Sequence, residues 1–177
     1  MHDPRHATRR FRWTFAALLA GLSTLGPFSI DAYLPAFAGM QASLAATPLE
    51  IQQTLSSYLF AFAIMFLFHG ALSDSFGRRP VIIVALVVYT AASLWCAVAD
   101  SVHGLIVGRV LQGLSVGAGM VVGRAMIRDL FGPEDAQRLM SMVTLFFGLA
   151  PAIAPVIGGW LFVALGWRAF SGSVSGR

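Results

Sequence analysis

Gly70-Ala71-Leu72-Ser73-Asp74-Ser75-Phe76-Gly77-Arg78-Arg79-Pro80 packs one carboxylate, two guanidinium groups, two glycines and a proline into one short stretch. On each side lies an uncharged apolar run, about 51–72 before it and about 81–99 after it. As a helix, each run is long enough to cross the roughly 30 Å hydrocarbon core of a bilayer. Lipid offers no partners for backbone N–H and C=O groups, so such runs must be helical and the charged stretch between them must lie at a membrane face. In a soluble protein the same eleven residues would be an ordinary surface turn; the two flanks exclude that.

Composition agrees. Of the 177 residues, 57% are hydrophobic and only 11% charged, against about 25% charged in a typical soluble domain. The mean hydropathy is +0.75. The net charge of +4 does not indicate nucleic acid, because the basic residues, all arginine, cluster at the ends of apolar runs with no basic-aromatic stripe. Cys96, the one cysteine, lies inside an apolar run and can form no internal disulfide; no Cys/His grouping suggests a metal site. Arg5, Arg9, Arg10 and Arg12 precede an apolar segment as in a signal peptide. That segment continues to about Ala38, well past an h-region of roughly 7–15 residues, so it reads as a retained first span.

Working outward, the chain divides into a basic arm (1–12), five spans (about 13–38, 51–72, 81–99, 104–127 and 139–165) and a polar tail (171–177). The fold class is an all-α integral membrane bundle. Span one carries Asp31, with Pro27 and Pro35 four residues to either side. Pro35 cannot donate to the Asp31 carbonyl, so the helix is weakened at the turn bearing the acid. A carboxylate inside a span faces a bundle interior or a water-filled cavity; the competing reading is that Asp31 simply reaches headgroup water. The connection 39–50 is short and polar, and ends in Thr47-Pro48-Leu49-Glu50, a capping-box helix start. His69 reads as a polar residue at the membrane interface.

Span four carries Arg109 one turn in, with Gln112 three residues on and therefore on the same face. Glycines four apart (Gly104/Gly108, Gly113/Gly117, Gly119/Gly123) mark two faces for close helix packing. Arg109 thus reads as a buried, hydrogen-bonded cation, the alternative being a side chain that snorkels to water. The charges from Arg124 to Arg138 read as a solvated cluster around a helix break at Gly132-Pro133. Span five holds Pro151, Pro155, Gly158 and Gly159, which weaken the helix on one side and suggest a kink or a hinge. Arginine falls overwhelmingly on one side of the alternating connections, which makes the N-terminus and the opening stretch cytoplasmic.

With these residues in place, the pattern resembles a known family. Gly70-x-Leu72-x-Asp74-x-x-Gly77-Arg78-Arg79-Pro80 is similar to the loop signature of the major facilitator superfamily, and Arg109-Val110-Leu111-Gln112-Gly113 to its RxxQG motif. The proline-glycine pattern of span five resembles the antiporter motif. Asp31-Ala32-Tyr33-Leu34-Pro35, Arg124 to Leu130 and Trp167-Arg168 resemble the Bcr/CflA-type drug:proton antiporters. The resemblance runs from about Phe15 to Phe170 and makes 13–170 a partial N-terminal domain.

It implies a twelve-span fold with the substrate held between two six-span halves, no cofactor, and export of amphipathic drug-like molecules against protons across a bacterial inner membrane. It implies proton or substrate coupling for Asp31, Arg109 and Gln112. It implies a cytoplasmic latch for Gly70, Asp74, Gly77, Arg78, Arg79 and Pro80, and a hinge for Pro151, Pro155, Gly158 and Gly159. Ser75 departs from the basic residue usual in the loop. The tail 171–177 replaces a sixth span, so the missing partner is a C-terminal half and the chain reads as a truncated or partial transporter inactive alone. A half-transporter pairing with itself or another chain is the alternative. A membrane enzyme lacks support: no Ser/His/Asp set, HExxH or phosphate loop occurs.

Overall fold

In a computed structural model that describes residues 9–165, the described chain is helical throughout apart from short connections. The helices are α1 (Arg9–Asp31), α2 (Phe37–Leu44), α3 (Pro48–Phe76), α4 (Arg78–Val98), α5 (Val102–Leu130) and α6 (Pro133–Leu165), with a 3₁₀ turn at Leu34–Ala36. Five segments are long and apolar enough to cross a membrane: Ala17–Leu44, Pro48–Phe76, Arg78–Val98, Val102–Leu130 and Pro133–Ile157. Residues 1–8, most of the basic arm, and 166–177, with Trp167, Arg168 and the polar tail, lie outside the described residues.

α5 is the axis of the bundle. Of its most apolar stretch 67% is buried, against 17% in α3, α4 and α6. In lipid no hydrophobic force drives helices together, so close packing must come from small residues that let backbones approach. Gly113 and Gly119 show how. A Cβ on Gly113 would overlap the Tyr58 carbonyl oxygen of α3, and one on Gly119 would lie 2.7 Å from the Leu22 carbonyl oxygen of α1. The two glycine faces read in the sequence are thus the faces on which α3 and α1 pack. Two apolar clusters close the ends. One gathers Tyr33, Met40, Ile51, Cys96 and Leu105; the other joins Leu19, Ile127, Leu139 and Val143.

Several boundaries differ from the sequence reading. Span one is not one helix to Ala38. α1 stops at Asp31, a 3₁₀ turn follows at Leu34–Ala36, and α-helix resumes only at Phe37. The connection expected over 39–50 shrinks to Ala45–Thr47, because α2 runs on to Leu44 and ends where Ala45 takes a left-handed conformation (φ 48°). The capping box at Thr47 is present: its N–H donates to Glu50 Oε2 at 2.8 Å, and the Glu50 N–H donates to Thr47 Oγ1 at 3.3 Å. The stretch 70–80 is hardly a loop. Residues up to Phe76 continue α3, Arg78 begins α4, and only Gly77 breaks the helix, at φ 92° and ψ 154°. That backbone region is essentially open to glycine alone. Pro80 sits in the first turn of α4, where its missing N–H costs nothing. Pro151 and Pro155 lie inside the continuous helix α6.

Packing of this kind makes a sharp contrast between glycines. Gly113→Ala is expected to lower stability by about 1–3 kcal/mol through overpacking. Gly148 has open space around it, so Gly148→Ala should leave stability unchanged or raise it by up to about 1 kcal/mol. Detergent-titrated unfolding of the two variants checks this; equal stability would contradict the tight α3/α5 contact.

Candidate functional site

Arg109 enters the bundle roughly 10 Å from the start of α5, given 1.5 Å per residue. Its side chain is 3% exposed. A buried cation in a membrane span is costly unless polar groups surround it. Here they come from several helices. Nη1 donates to Gln112 Oε1 at 2.9 Å and Nη2 to the Ser29 carbonyl at 3.4 Å. The guanidinium carbon lies 4.1 Å from the centre of the Tyr33 ring and 4.4 Å from that of Tyr58. Such contacts are worth up to about 2 kcal/mol each when desolvated. Nε has no partner.

The network continues past the arginine. Gln112 Nε2 donates to Ser93 Oγ at 2.8 Å, and Ser93 Oγ donates to the Tyr89 carbonyl at 2.8 Å. The Tyr89 and Ser29 hydroxyls meet in turn. One polar cluster therefore ties α1, α3, α4 and α5 together. The spacing of Arg109 and Gln112 indicated their pairing. Ser29, Tyr33, Tyr58, Tyr89 and Ser93 went unread, though polar or hydroxylated side chains inside apolar runs were the available signal.

Asp31 occupies the last turn of α1. The helix tightens there: Ala32 N–H donates to Phe28 O at 3.0 Å, but Tyr33 N–H reaches only back to Ile30 O at 3.2 Å. Pro35 stands in the 3₁₀ turn just beyond, where the sequence places the weakness. Asp31 is partly exposed and lines a cavity of about 640 Å³ with Tyr58, Phe62, Phe66, Phe147 and Pro151. Pro27 lines it too, as the spacing of four suggests. Gln112 and Arg109 are brought together; Asp31 lines the cavity with Tyr58, whose ring also lies against the arginine. Among the described residues no group of three or more His, Cys, Asp or Glu could hold a metal.

The charged turn forms a second cluster. Arg78 Nη1 lies 2.5 Å from Asp74 Oδ1, Nε lies 3.1 Å from Asp129 Oδ2, and Nη1 donates to Ser73 Oγ at 2.5 Å. Arg78 so joins the end of α3 to the end of α5 across the Gly77 break. Asp129 is thus a partner of this turn and not merely one of a solvated group. Arg79 is exposed and Gly70 lies within α3. Pro151, Pro155, Gly158 and Gly159 all fall within α6. His69 departs from its interface reading: it is 2% exposed, packs beside Gly117 and leaves Nδ1 without a partner.

Gln112→Leu would remove the donor to Ser93 Oγ and leave one guanidinium N–H unpaired, and is expected to cost about 1–3 kcal/mol. Asp129→Asn, at a half-exposed pair, should cost no more than about 1 kcal/mol and matter less at high salt. Unfolding titrations of both variants at two salt concentrations check the ordering.

Residues 9–174 match the family model described as Major Facilitator Superfamily. Over 155 residues the chain is 37% identical to the Bicyclomycin resistance protein homolog of Haemophilus influenzae, covering 88% of this chain and 39% of that protein. It is 34% identical to an uncharacterized MFS-type transporter of Bacillus subtilis (90% of this chain, 39% of that protein). It is 32% identical to Multidrug resistance protein D of Escherichia coli (86% and 39%). The chain spans about two fifths of the length of these relatives.

Proposed function

Because the chain belongs to the major facilitator superfamily and is similar to Bcr/CflA-type drug-resistance members, we propose that it forms the N-terminal part of a proton-coupled multidrug efflux transporter. It is a multi-pass membrane protein, with five helices of spanning length among the described residues. We place it in a bacterial inner membrane with its N-terminus cytoplasmic, on the arginine bias of its connections.

One observation carries the reading: a cavity of about 640 Å³ holds a single carboxylate, Asp31, among aromatic side chains. Ligand sites combine predominantly apolar walls with a few placed polar groups. An amphipathic molecule could lay its apolar body on Phe62, Phe66 and Phe147 and its polar or cationic end near Asp31. The same carboxylate could exchange that ligand for a proton. Arg109, with Gln112 fixing one of its ends, supplies the positive charge near this site. In this reading Pro151 and Pro155 in α6, with Gly158 and Gly159 a turn later, give the cavity wall its hinge.

The turn at Gly70, Asp74, Gly77, Arg78, Arg79 and Pro80 serves as a latch at the cytoplasmic face. Arg78 grips Asp74 and Asp129 within this chain, while Asp74 and Arg79 remain exposed for a partner on the remaining part of the transporter. Alternating access requires one half to rock against another around a shared site. The relatives' additional length is the natural source of that second half.

Two preparations in dye-loaded vesicles placed in acidic medium, where protons enter as dye leaves, test this. The 177-residue chain alone is expected to extrude no cationic dye. The same chain fused to the C-terminal half of the Haemophilus relative is expected to extrude it, and to lose extrusion with Asp31→Asn. Gradient-driven extrusion by the chain alone, or a fusion indifferent to Asp31→Asn, would overturn the reading.

A further inference from the structure

Arg109 is a buried cation whose charge nothing cancels. Arg78, at the end of the bundle, pairs with Asp74 and Asp129, whereas among the described contacts of Arg109 there is no carboxylate. Its hydrogen bonds go to two neutral oxygens, of Gln112 and Ser29. What remains in contact with the guanidinium is the pair of tyrosine faces, 4.1 Å and 4.4 Å from its carbon.

Those rings are themselves fixed. The Tyr33 and Thr54 hydroxyls lie 2.8 Å apart, and Thr54 Oγ1 donates to the Ile51 carbonyl at 2.6 Å. The Tyr58 hydroxyl donates to the Gly26 carbonyl at 3.2 Å. Both tyrosines are buried, at 5% and 0% exposure. Each hydroxyl is thus tied off away from the arginine while the ring stays against the guanidinium. The negative face of an aromatic ring attracts a cation, and attracts it more in a dry, low-dielectric site. Unlike a carboxylate, it does so without neutralising the charge.

We propose that Tyr33 and Tyr58 are positioning residues that form an aromatic clamp on Arg109 and stand in for a carboxylate counter-ion, so that its positive charge stays available to an anion presented in the Asp31 cavity. This rests on the reading of Arg109 as part of the coupling machinery. Tyr58 is the one member of the clamp that also lines that cavity. A permanent acid partner would hold the arginine in a single closed pair; two rings hold it in place and leave its charge unspent. The unpartnered Nε fits a group kept partly in reserve.

The test uses the full chain in lipid nanodiscs and reads phenylglyoxal modification of each arginine by peptide mapping. Modification of Arg109 should be slow relative to exposed Arg79. Tyr58→Phe keeps the ring face and should leave the Arg109 rate nearly unchanged, whereas Tyr58→Leu should raise it about tenfold, the effect of losing roughly one desolvated cation–π contact. Replacing Tyr58 by phenylalanines bearing one, two, three or five fluorines keeps the ring's overall shape while draining its negative face. The Arg109 rate should climb step by step along that series. The same series at position 33 should behave alike.

Buried Cys96 reports the fold, because it stays unreactive to maleimide while the bundle is intact. If the leucine variant exposes Cys96, the fluorinated series decides. A flat response along the series with Cys96 protected overturns the clamp, as does an Arg109 equally protected in a folded Tyr58→Leu chain. The labelling reads the arginine whether or not anything is exported. A failed efflux assay therefore leaves the clamp standing, and a flat series leaves the efflux reading standing.

Discussion

Everything in this bundle is arranged around the burial of one guanidinium group. A charge at this depth in a membrane is tolerated only if protein groups replace the water it gives up. Arg109 draws those groups from a carbonyl on α1, a ring just after α1, a ring on α3 and an amide on its own helix. The amide is fixed in turn by a serine on α4. The helices cannot separate at this level without leaving polar atoms unpaired in a low-dielectric interior, where each such loss is expensive. This constraint turns the four apolar helices α1, α3, α4 and α5, which lipid would solvate equally well apart, into one packed unit.

The glycines of α5 serve the same end. Gly113 brings the α3 backbone close at the level of Tyr58, and Gly119 brings α1 close at Leu22. A larger residue at Gly113 would push away the segment that carries Tyr58, one of the two rings on the arginine. Close packing and charge burial are therefore not separate features of α5; the first is a condition of the second. At the far end of the same helix, Asp129 meets Arg78. α5 thus carries an interaction with the neighbouring helices at two heights, one buried and one half exposed.

Much of this was legible in the sequence because lipid simplifies the grammar. Runs of about twenty apolar residues can only be helices, so their number and order were plain. Arg109 and Gln112 were readable as a pair from their spacing of three, and the glycine pairs as packing faces from their spacing of four. Helix ends were less legible. The charged stretch 70–80 looked like a loop, yet Asp74 and Arg78 are helical residues and only Gly77 interrupts the backbone. Polarity marks the membrane face, and it does not by itself unwind a helix. A weakened turn at Asp31 followed from Pro35, but the separate helix at Phe37–Leu44 did not, because its eight residues are too few to show a period.

The partners of the arginine were the least legible part. Tyr33 lies in the turn after α1 and Tyr58 in α3, and no local pattern links residues 25 positions apart or connects either to Arg109. Asp129 was hidden for the same reason: among several charges between Arg124 and Arg138, only the folded geometry selects the one that meets Arg78. His69 illustrates the converse error. A histidine near an apparent span end suggests an interface, yet α3 runs on to Phe76 and leaves that residue buried against α5.

The most direct measurement of whether one shared network holds these helices is a double-mutant cycle on the unfolding free energy, using Arg109→Met, Gln112→Leu and the double variant in detergent micelles. If the arginine and the glutamine belong to one buried network, the two losses should be coupled by about 1 kcal/mol or more. Losses that add to within about 0.3–0.5 kcal/mol would show two independent residues and would contradict the central role given to Arg109.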